Sequence, residues 1–389
     1  MRICMITSSY PRYEGDGTGS FVGSLARTLV KLGQEVHAVA PHDPAVARTH
    51  QGNVHVHRFR YAPREKLHIA GHGRALEADM QMRWMVPLLM PGFVMAATRM
   101  ALRLHRREAF DLIHGHWAVP GGFIGGLVAK LTGLPLVISL HGGDVYLMER
   151  SPLYATAGRV AFRIASHVTA CSDDLYQRAT TLGLNPSDGS VVPYGVDVER
   201  YASGTGDYMR ERLGIPQDAP IIGALGRLVR KKGFRFLLLA MPKVLEAAPE
   251  ARCVIGGSGD LQEELAEQAR ALDIDDRVLF PGSINWLETC DYYAMCDLLV
   301  VPSVVDPYGN VDGLPNVLLE GMASGCAVVA SNVAGIPLVV RDGENGLLVP
   351  PGDPEALAAA ILELLDNPDL RRSLRAKAQE RMTESHSWP

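Results

Sequence analysis

Short apolar runs, each followed by a glycine-containing turn and a segment of helical period, recur along the chain. RICMITS (2–8) reads as a strand, GDGTGS (15–20) as a loop, FVGSLARTLVKLG (21–33) as a helix closed by Gly33, and VHAVAP (36–41) as a second strand. DLIHGH (111–116), LPLVISLHG (134–142) and HVTACS (167–172) continue the series. These runs are apolar on both faces, as strands buried in a parallel sheet must be. The pattern restarts near Ile221. PIIGALG, ARCVIGG, RVLFPG, LLVVPS and AVVAS read as strands, interleaved with helices over 233–247, 260–273 and 315–325 and a last helix over 354–366. Regular alternation predicts an α/β chain of two Rossmann-like domains with parallel sheets facing a cleft, spanning 1–195 and 196–389, with a linker over 193–214.

Composition adds exclusions. With 47% hydrophobic and 21% charged residues, the 389-residue chain is neither disordered nor a disulfide miniprotein. A net charge of −5 argues against nucleic acid as a partner. The charge is unevenly placed. Residues 1–200 hold 21 Lys/Arg and 16 Asp/Glu, and the remainder 17 and 27. Six scattered cysteines without a C-x-x-C pair read as buried thiols of a reducing, cytoplasmic protein, and the N-terminus enters a strand without an apolar signal segment. The stretch Trp84–Leu102 is broken by Pro87, Pro91 and Arg99 and so is not a membrane span. Ten Lys/Arg between Arg58 and Arg107, against Glu65, Glu77 and Asp79, would suit either a solvated basic helix face or an anionic membrane surface.

Five polar clusters carry chemistry. Gly226-Arg-Leu-Val-Arg-Lys-Lys-Gly233 sets Arg227, Lys231 and Lys232 at a strand-to-helix turn, an arrangement suited to phosphate oxygens but without Walker spacing. Gly256-Gly-Ser-Gly259 is a second such turn, without the full dinucleotide fingerprint. Asp312 and Glu320 lie eight positions apart, and Gly313, Leu314, Pro315 and Asn316 open a helix between them. The amides of that first turn can meet a phosphate, and the two carboxylates can accept ribose and sugar hydroxyls. His141-Gly-Gly-Asp144 ends one strand, and the loop Gly15-Asp-Gly-Thr-Gly19 precedes a helix. His55-x-His57 and His114-x-His116 pair imidazoles on strand faces, but the sequence offers neither pair a third ligand, and no metal site is expected.

Together these residues resemble the retaining GT-B glycosyltransferases of family 4 (group 1), along the whole chain and most specifically over GRLVRKKG, GGSG and the Asp312–Glu320 segment with LLEGMASGCAVVAS. The resemblance implies transfer of a mannose-, glucose- or N-acetylglucosamine-type hexose from a UDP- or GDP-sugar co-substrate to a lipid-linked or surface-glycan acceptor. It implies no metal and no other cofactor, and a location at most peripheral on the inner face of a membrane. Arg227 and Lys232 would neutralise the leaving diphosphate, Glu320 would hold the ribose, and His141 would touch the donor sugar. Asp312 stands where relatives usually carry Glu, one methylene longer, which bears on sugar choice. Gly15, Gly17, Gly19 and Gly257 would approach the donor phosphates, with His116 and Asp144 on the acceptor side. A nucleotide-sugar epimerase of the same fold is the alternative; the ordered GRLVRKKG and Asp312/Glu320 pair argue against it. Relatives usually continue past Ser385-His-Ser-Trp-Pro389 into a helix that crosses back to the first domain.

Overall fold

The computed structural model describes residues 1–46, 53–74, 76–77 and 81–388. Asp79 and the terminal Pro389 lie outside the described residues. The chain divides into two compact units, Met1–Pro193 and Tyr194–Trp388.

In the first unit the elements run β1 (Arg2–Ile6), α1 (Ser20–Lys31), β2 (Glu35–Pro41), β3 (His55–Phe59), β4 (Leu76–Glu77), β5 (Gln81–Met82), α2 (Val86–Glu108), β6 (Leu112–His116), α3 (Phe123–Thr132), β7 (Leu136–Leu140), α4 (Gly143–Arg150), α5 (Pro152–Ile164), β8 (His167–Ala170), α6 (Asp173–Thr181) and β9 (Gly189–Val191). Seven strands form a parallel sheet in the order β3-β2-β1-β6-β7-β8-β9, and β4 and β5 make a separate antiparallel pair. The order reverses direction between β1 and β6, so their carboxyl ends flank a crevice.

The second unit repeats the plan with α7 (Val198–Ala202), α8 (Asp207–Leu213), β10 (Ile221–Leu225), α9 (Phe234–Ala247), β11 (Arg252–Gly256), α10 (Gln262–Ala271), β12 (Val278–Leu279), α11 (Thr289–Met295), β13 (Leu298–Val301), α12 (Asn316–Ala323), β14 (Ala327–Ser331), α13 (Ile336–Val339), β15 (Leu347–Val349), α14 (Pro354–Asp366) and α15 (Pro368–Arg381). Its six parallel strands are ordered β12-β11-β10-β13-β14-β15, with the reversal between β10 and β13. Every residue of β13 and β14 is buried, because helices cover both faces of the sheet. Tyr292 of α11 ties the central strands together, donating to Val254 O (2.7 Å) while accepting from Ala224 N (3.1 Å).

The structure departs from the sequence pattern in three places. Residues 194–214 are no linker: α7 and α8 pack on α11 within the second unit. The last helix of the pattern is followed by α15, and the segment after it returns to its own unit. There Val196 N donates to His386 O (2.7 Å), and Trp388 N to Val196 O (3.1 Å). The chain's strongest basic tract is also partly structural. Arg58 turns inward onto the carbonyls of Tyr10 and Pro11, and Arg60 and Arg74 pair with Glu65 and Asp43.

One backbone contact fixes the turn after β10. Gly233 adopts φ 69°, and a Cβ there would stand 1.8 Å from Pro302 O, at the end of β13. Gly233→Ala is expected to lower the unfolding free energy by about 3 kcal/mol, from left-handed strain plus a backbone clash. Urea unfolding of the variant and wild-type chains measures it.

Candidate functional site

In the second unit the polar groups gather at the carboxyl ends of β10 and β13. Two loops are laced together by their backbones. Gly226 N donates to Gly256 O (3.0 Å), Leu228 N to Ser258 O (3.0 Å), and Leu261 N to Leu228 O (3.0 Å). Leu228 itself is buried and anchors the turn. Gly257 has φ 140°, and a Cβ would fall 1.8 Å from Gly226 O. Its glycine is therefore required by loop-on-loop approach, whatever part it has in holding a donor. Lys231 O accepts from Val304 N (2.9 Å), which pins the cationic turn to the loop after β13.

That anchoring points the lysines at one acid. Lys232 Nζ lies 2.6 Å from Asp312 Oδ2, and Lys231 Nζ lies 3.4 Å from Oδ1. The Lys232 stem passes over Gly226, where a Cβ would meet its Cε at 3.2 Å. Burial raises the affinity of the Asp312 carboxyl for a proton, but Lys232, Lys231 and Arg227 outweigh it and hold its pKa below the ordinary value. Three cations thus act on the one Asp312 carboxylate.

Gly313 and Leu314 are buried and lead into α12; Gly313 O accepts from Gly335 N (2.8 Å). Pro315 is the N-cap residue and Asn316 begins the helix, with no side chain capping the first amides. One turn inside, Glu320 Oε2 accepts from Tyr293 Oη (2.7 Å). Burial pushes the Glu320 pKa up, against hydrogen bonds from Tyr293 and Tyr201. Both tyrosines escape sequence reading, because each sits in an element with no motif of its own. Asp312, Lys231 and Lys232 are brought together across the fold, while Glu320 is held separately by aromatic hydroxyls.

In the first unit the corresponding end of the sheet carries histidines. A hydrogen bond joins His141 Nε2 to His116 Nδ1 (3.1 Å), and the Trp117 and Phe21 rings each stand edge-on to His141 with centroids 4.8 Å away. Burial first, then His114, lowers the His141 pKa to about 3; burial likewise lowers that of His114 to about 4 and that of His116 well below the ordinary value. All three rings are neutral at pH 7. His116 is fully buried behind His141, and Asp144 is buried with its carboxylate accepting from the amides of Ala118 (2.6 Å), Gly142 (3.0 Å) and His141 (3.3 Å). His116 Nδ1 and the Asp144 carboxylate thus hold the His141 loop, while His116 Nε2 is buried without a hydrogen-bond partner among the described residues.

The loop before α1 is braced by Asp16, whose carboxylate accepts from Arg12 Nε (2.7 Å), Arg12 N (2.9 Å) and Thr18 N (3.0 Å). Gly15 and Gly19 have φ 83° and 67°, and a Cβ on Gly19 would lie 2.8 Å from Ser9 O. Around Gly17 nothing stands within 4 Å of a Cβ, so this glycine faces open space.

Elsewhere, β2 supplies neighbours for the His55-x-His57 pair that the sequence did not reveal. His37 Nε2 bonds Glu35 Oε1 (3.0 Å), its Nδ1 bonds His57 Nε2 (3.0 Å), and Glu35, His37 and His55 bring ligand-type atoms within 4.8 Å of one another. The groups largely satisfy each other, and Arg2 Nε holds the other Glu35 oxygen (3.0 Å). Five of the six cysteines are buried, and burial pushes the Cys4, Cys253 and Cys326 thiols up to about 12, which makes them poor nucleophiles.

Comparison with known proteins gives the same architecture. The family model "Glycosyl transferases group 1" matches residues 207–381, and "Glycosyltransferase Family 4" matches residues 15–200. A D-inositol 3-phosphate glycosyltransferase of Kineococcus radiotolerans is 30% identical over 411 residues, covering 96% of this chain and 88% of the relative. Sucrose-phosphate synthase of Thermosynechococcus elongatus superposes with a TM-score of 0.79 at 23% identity, covering 100% of this chain and 95% of that one. Anabaena HepE in complex with UDP-glucose superposes at 0.74 and 20% identity, covering 100% and 96%.

The histidine burial makes stability depend on pH. An unfolded histidine titrates near 6.5, whereas folded His114 and His141 stay neutral down to about 4 and about 3. Their contribution is present above 6.5 and is lost as pH falls. Between pH 7 and 5 each is expected to cost about 2 kcal/mol of folding free energy. Urea unfolding at both pH values measures the loss, and His114→Gln should remove one histidine's share of the difference.

Proposed function

The chain belongs to the group 1 glycosyltransferases of family 4 and has their GT-B fold of two Rossmann-like domains, and we propose that it is a retaining, metal-independent hexosyltransferase. The donor is a UDP- or GDP-sugar carrying a mannose-, glucose- or N-acetylglucosamine-type hexose, and the acceptor is a lipid-linked or surface glycan. UDP-glucose is the first donor to test, because the structurally similar HepE was crystallised with it. The observation that carries the reading is the Lys232–Lys231–Asp312 cluster beside Arg227.

In this reading Arg227 and Lys232 take up the charge that develops on the leaving diphosphate, so that protein cations do what a bound metal does elsewhere. Asp312 aims Lys232 and accepts hydroxyls of the sugar. The open first turn of α12, at Pro315 and Asn316, offers amides to phosphate oxygens, with Gly313 and Leu314 setting its approach. Glu320, fixed by Tyr293, accepts the ribose hydroxyls. Neutral His141 can hydrogen-bond the donor sugar without adding charge near its reacting carbon. Gly15, Gly17 and Gly19 are assigned to the donor phosphates.

Transfer breaks the bond between the anomeric carbon and the phosphate oxygen and forms one from the same face to the acceptor oxygen. The departing phosphate takes the acceptor's proton. Between the two bonds the sugar passes through an oxocarbenium-like state.

Arg227→Ala and Lys232→Ala are each expected to reduce kcat about 100-fold in a folded enzyme, the scale of removing one charge-stabilising group. Release of nucleoside diphosphate from UDP-glucose and GDP-mannose measures this, and wild-type rates in both variants overturn the assignment. Free epimer in place of transfer or hydrolysis products would identify an epimerase instead. Tyr293→Phe should raise the donor KM about tenfold with a smaller effect on kcat, since it loosens Glu320 without touching the leaving group.

A further inference from the structure

The transfer reaction leaves the histidine cluster of β2 and β3 without a task. Glu35 and His55 open their strands, and His37 and His55 are partners in the parallel register. With a side-chain period of two, Glu35, His37 and His55 leave the same face of the sheet at its amino end. The Gly15–Gly19 loop and His141 follow the carboxyl ends of β1 and β7, so the cluster stands at the other end of that sheet.

Its geometry is close to that of a metal-ligand set. One atom each of Glu35, His37 and His55 lies within 4.8 Å of the other two, and His37 Nε2 is 3.0 Å from Glu35 Oε1. A tetrahedral zinc with bonds of about 2.0–2.1 Å sets its ligand atoms about 3.4 Å apart. The Glu35–His37 pair nearly has that spacing, and the exposed His55 ring can reach it by turning about its side-chain bonds. The surroundings already hold the ligands. Arg2 Nε takes the second Glu35 oxygen (3.0 Å) and leaves Oε1 to the ion. The buried Phe110 ring stands edge-on to His37, with centroids 5.1 Å apart, and walls off one side.

What now joins Glu35 to His37 is one hydrogen bond, which a cation between the two atoms replaces. With the ion on Nε2, His37 carries its ring proton on Nδ1, and His57 Nε2, 3.0 Å from that atom, accepts a hydrogen bond from it. Ligating imidazoles are ordinarily oriented by such a partner on the second nitrogen. Two imidazoles and one carboxylate suit zinc better than magnesium or calcium.

We propose that Glu35, His37 and His55 bind a single Zn²⁺ ion, with water as the fourth ligand, and that the ion ties β3 to the sheet. β3 is the edge strand and pairs only with β2, so a side-chain bridge between the two strands adds a link that the backbone ladder lacks. His57 is a positioning residue for His37.

The full chain, freed of metal by dialysis against a chelator, is titrated with Zn²⁺ by calorimetry and followed by thermal unfolding. Binding of a single zinc per chain is expected, with Tm raised by about 4 °C when free zinc is about tenfold above Kd, and no rise with Mg²⁺. His55→Ala and Glu35→Gln should each weaken zinc binding about tenfold or more and abolish the rise in Tm. His57→Leu should weaken it about tenfold, whereas His57→Gln, which keeps an acceptor for His37 Nδ1–H, should bind as wild type does. The inference fails if zinc does not bind, if Mg²⁺ raises Tm equally, or if His55→Ala and Glu35→Gln bind zinc as wild type does, which would put the ion on other histidines. Release of nucleoside diphosphate from UDP-glucose should be the same with and without zinc. Turnover that requires zinc would make the ion part of the reaction and overturn its role as a strand tie. Zinc binding as described in a chain that hydrolyses no donor would sustain the site and remove the transferase reading alone.

Discussion

Close backbone approach at the carboxyl end of the second sheet is the constraint on which the candidate site depends. Gly233 sits against Pro302 O, and Gly257 against Gly226 O, at distances no side chain tolerates. These approaches hold the turn after β10 between the loops after β11 and β13. A long cationic side chain loses much rotamer freedom when it is fixed. Here the backbone bears most of that ordering before any ligand arrives, and Lys231 and Lys232 emerge from a turn that is already placed.

Charge in the second unit is arranged by the same logic. The unit is acidic overall, yet its cations cluster in the turn after β10. Asp312 meets two lysines with Arg227 nearby, and Glu320 is drawn off to Tyr293. The first unit solves a different problem. Its polar end carries neutral imidazoles, with His116 Nδ1 bonded to His141 and the Asp144 carboxylate accepting from amides of the His141 loop.

The basic tract near the N-terminus shows how far composition can be read. As a count, it suggested one cationic surface. In the folded chain Arg58 serves carbonyls in the interior, and Arg60 and Arg74 are paired. The exposed arginines of α2 remain as a row beside apolar side chains.

The order of strands and helices was legible from the sequence because alternation and helical period are short-range properties, set by each residue's near neighbours. So was the placing of the candidate groups: Arg227, Lys232, Asp312 and His141 stand near strand ends or helix starts that the pattern marks, and Glu320 one turn inside a helix. Tertiary structure alone decided their partners and their charge states. Asp312 meets Lys232 across 80 positions of chain. His116 is neutral because segments far from it in sequence exclude water. Residues 194–214 look like a linker by composition, but become helices because α11 offers them a surface. Desolvation and pairing depend on which atoms arrive from elsewhere in the fold, and no local pattern records that. Tyr293 and Tyr201 were illegible for the same reason. Their hydroxyls matter through a carboxylate that only folding brings to them.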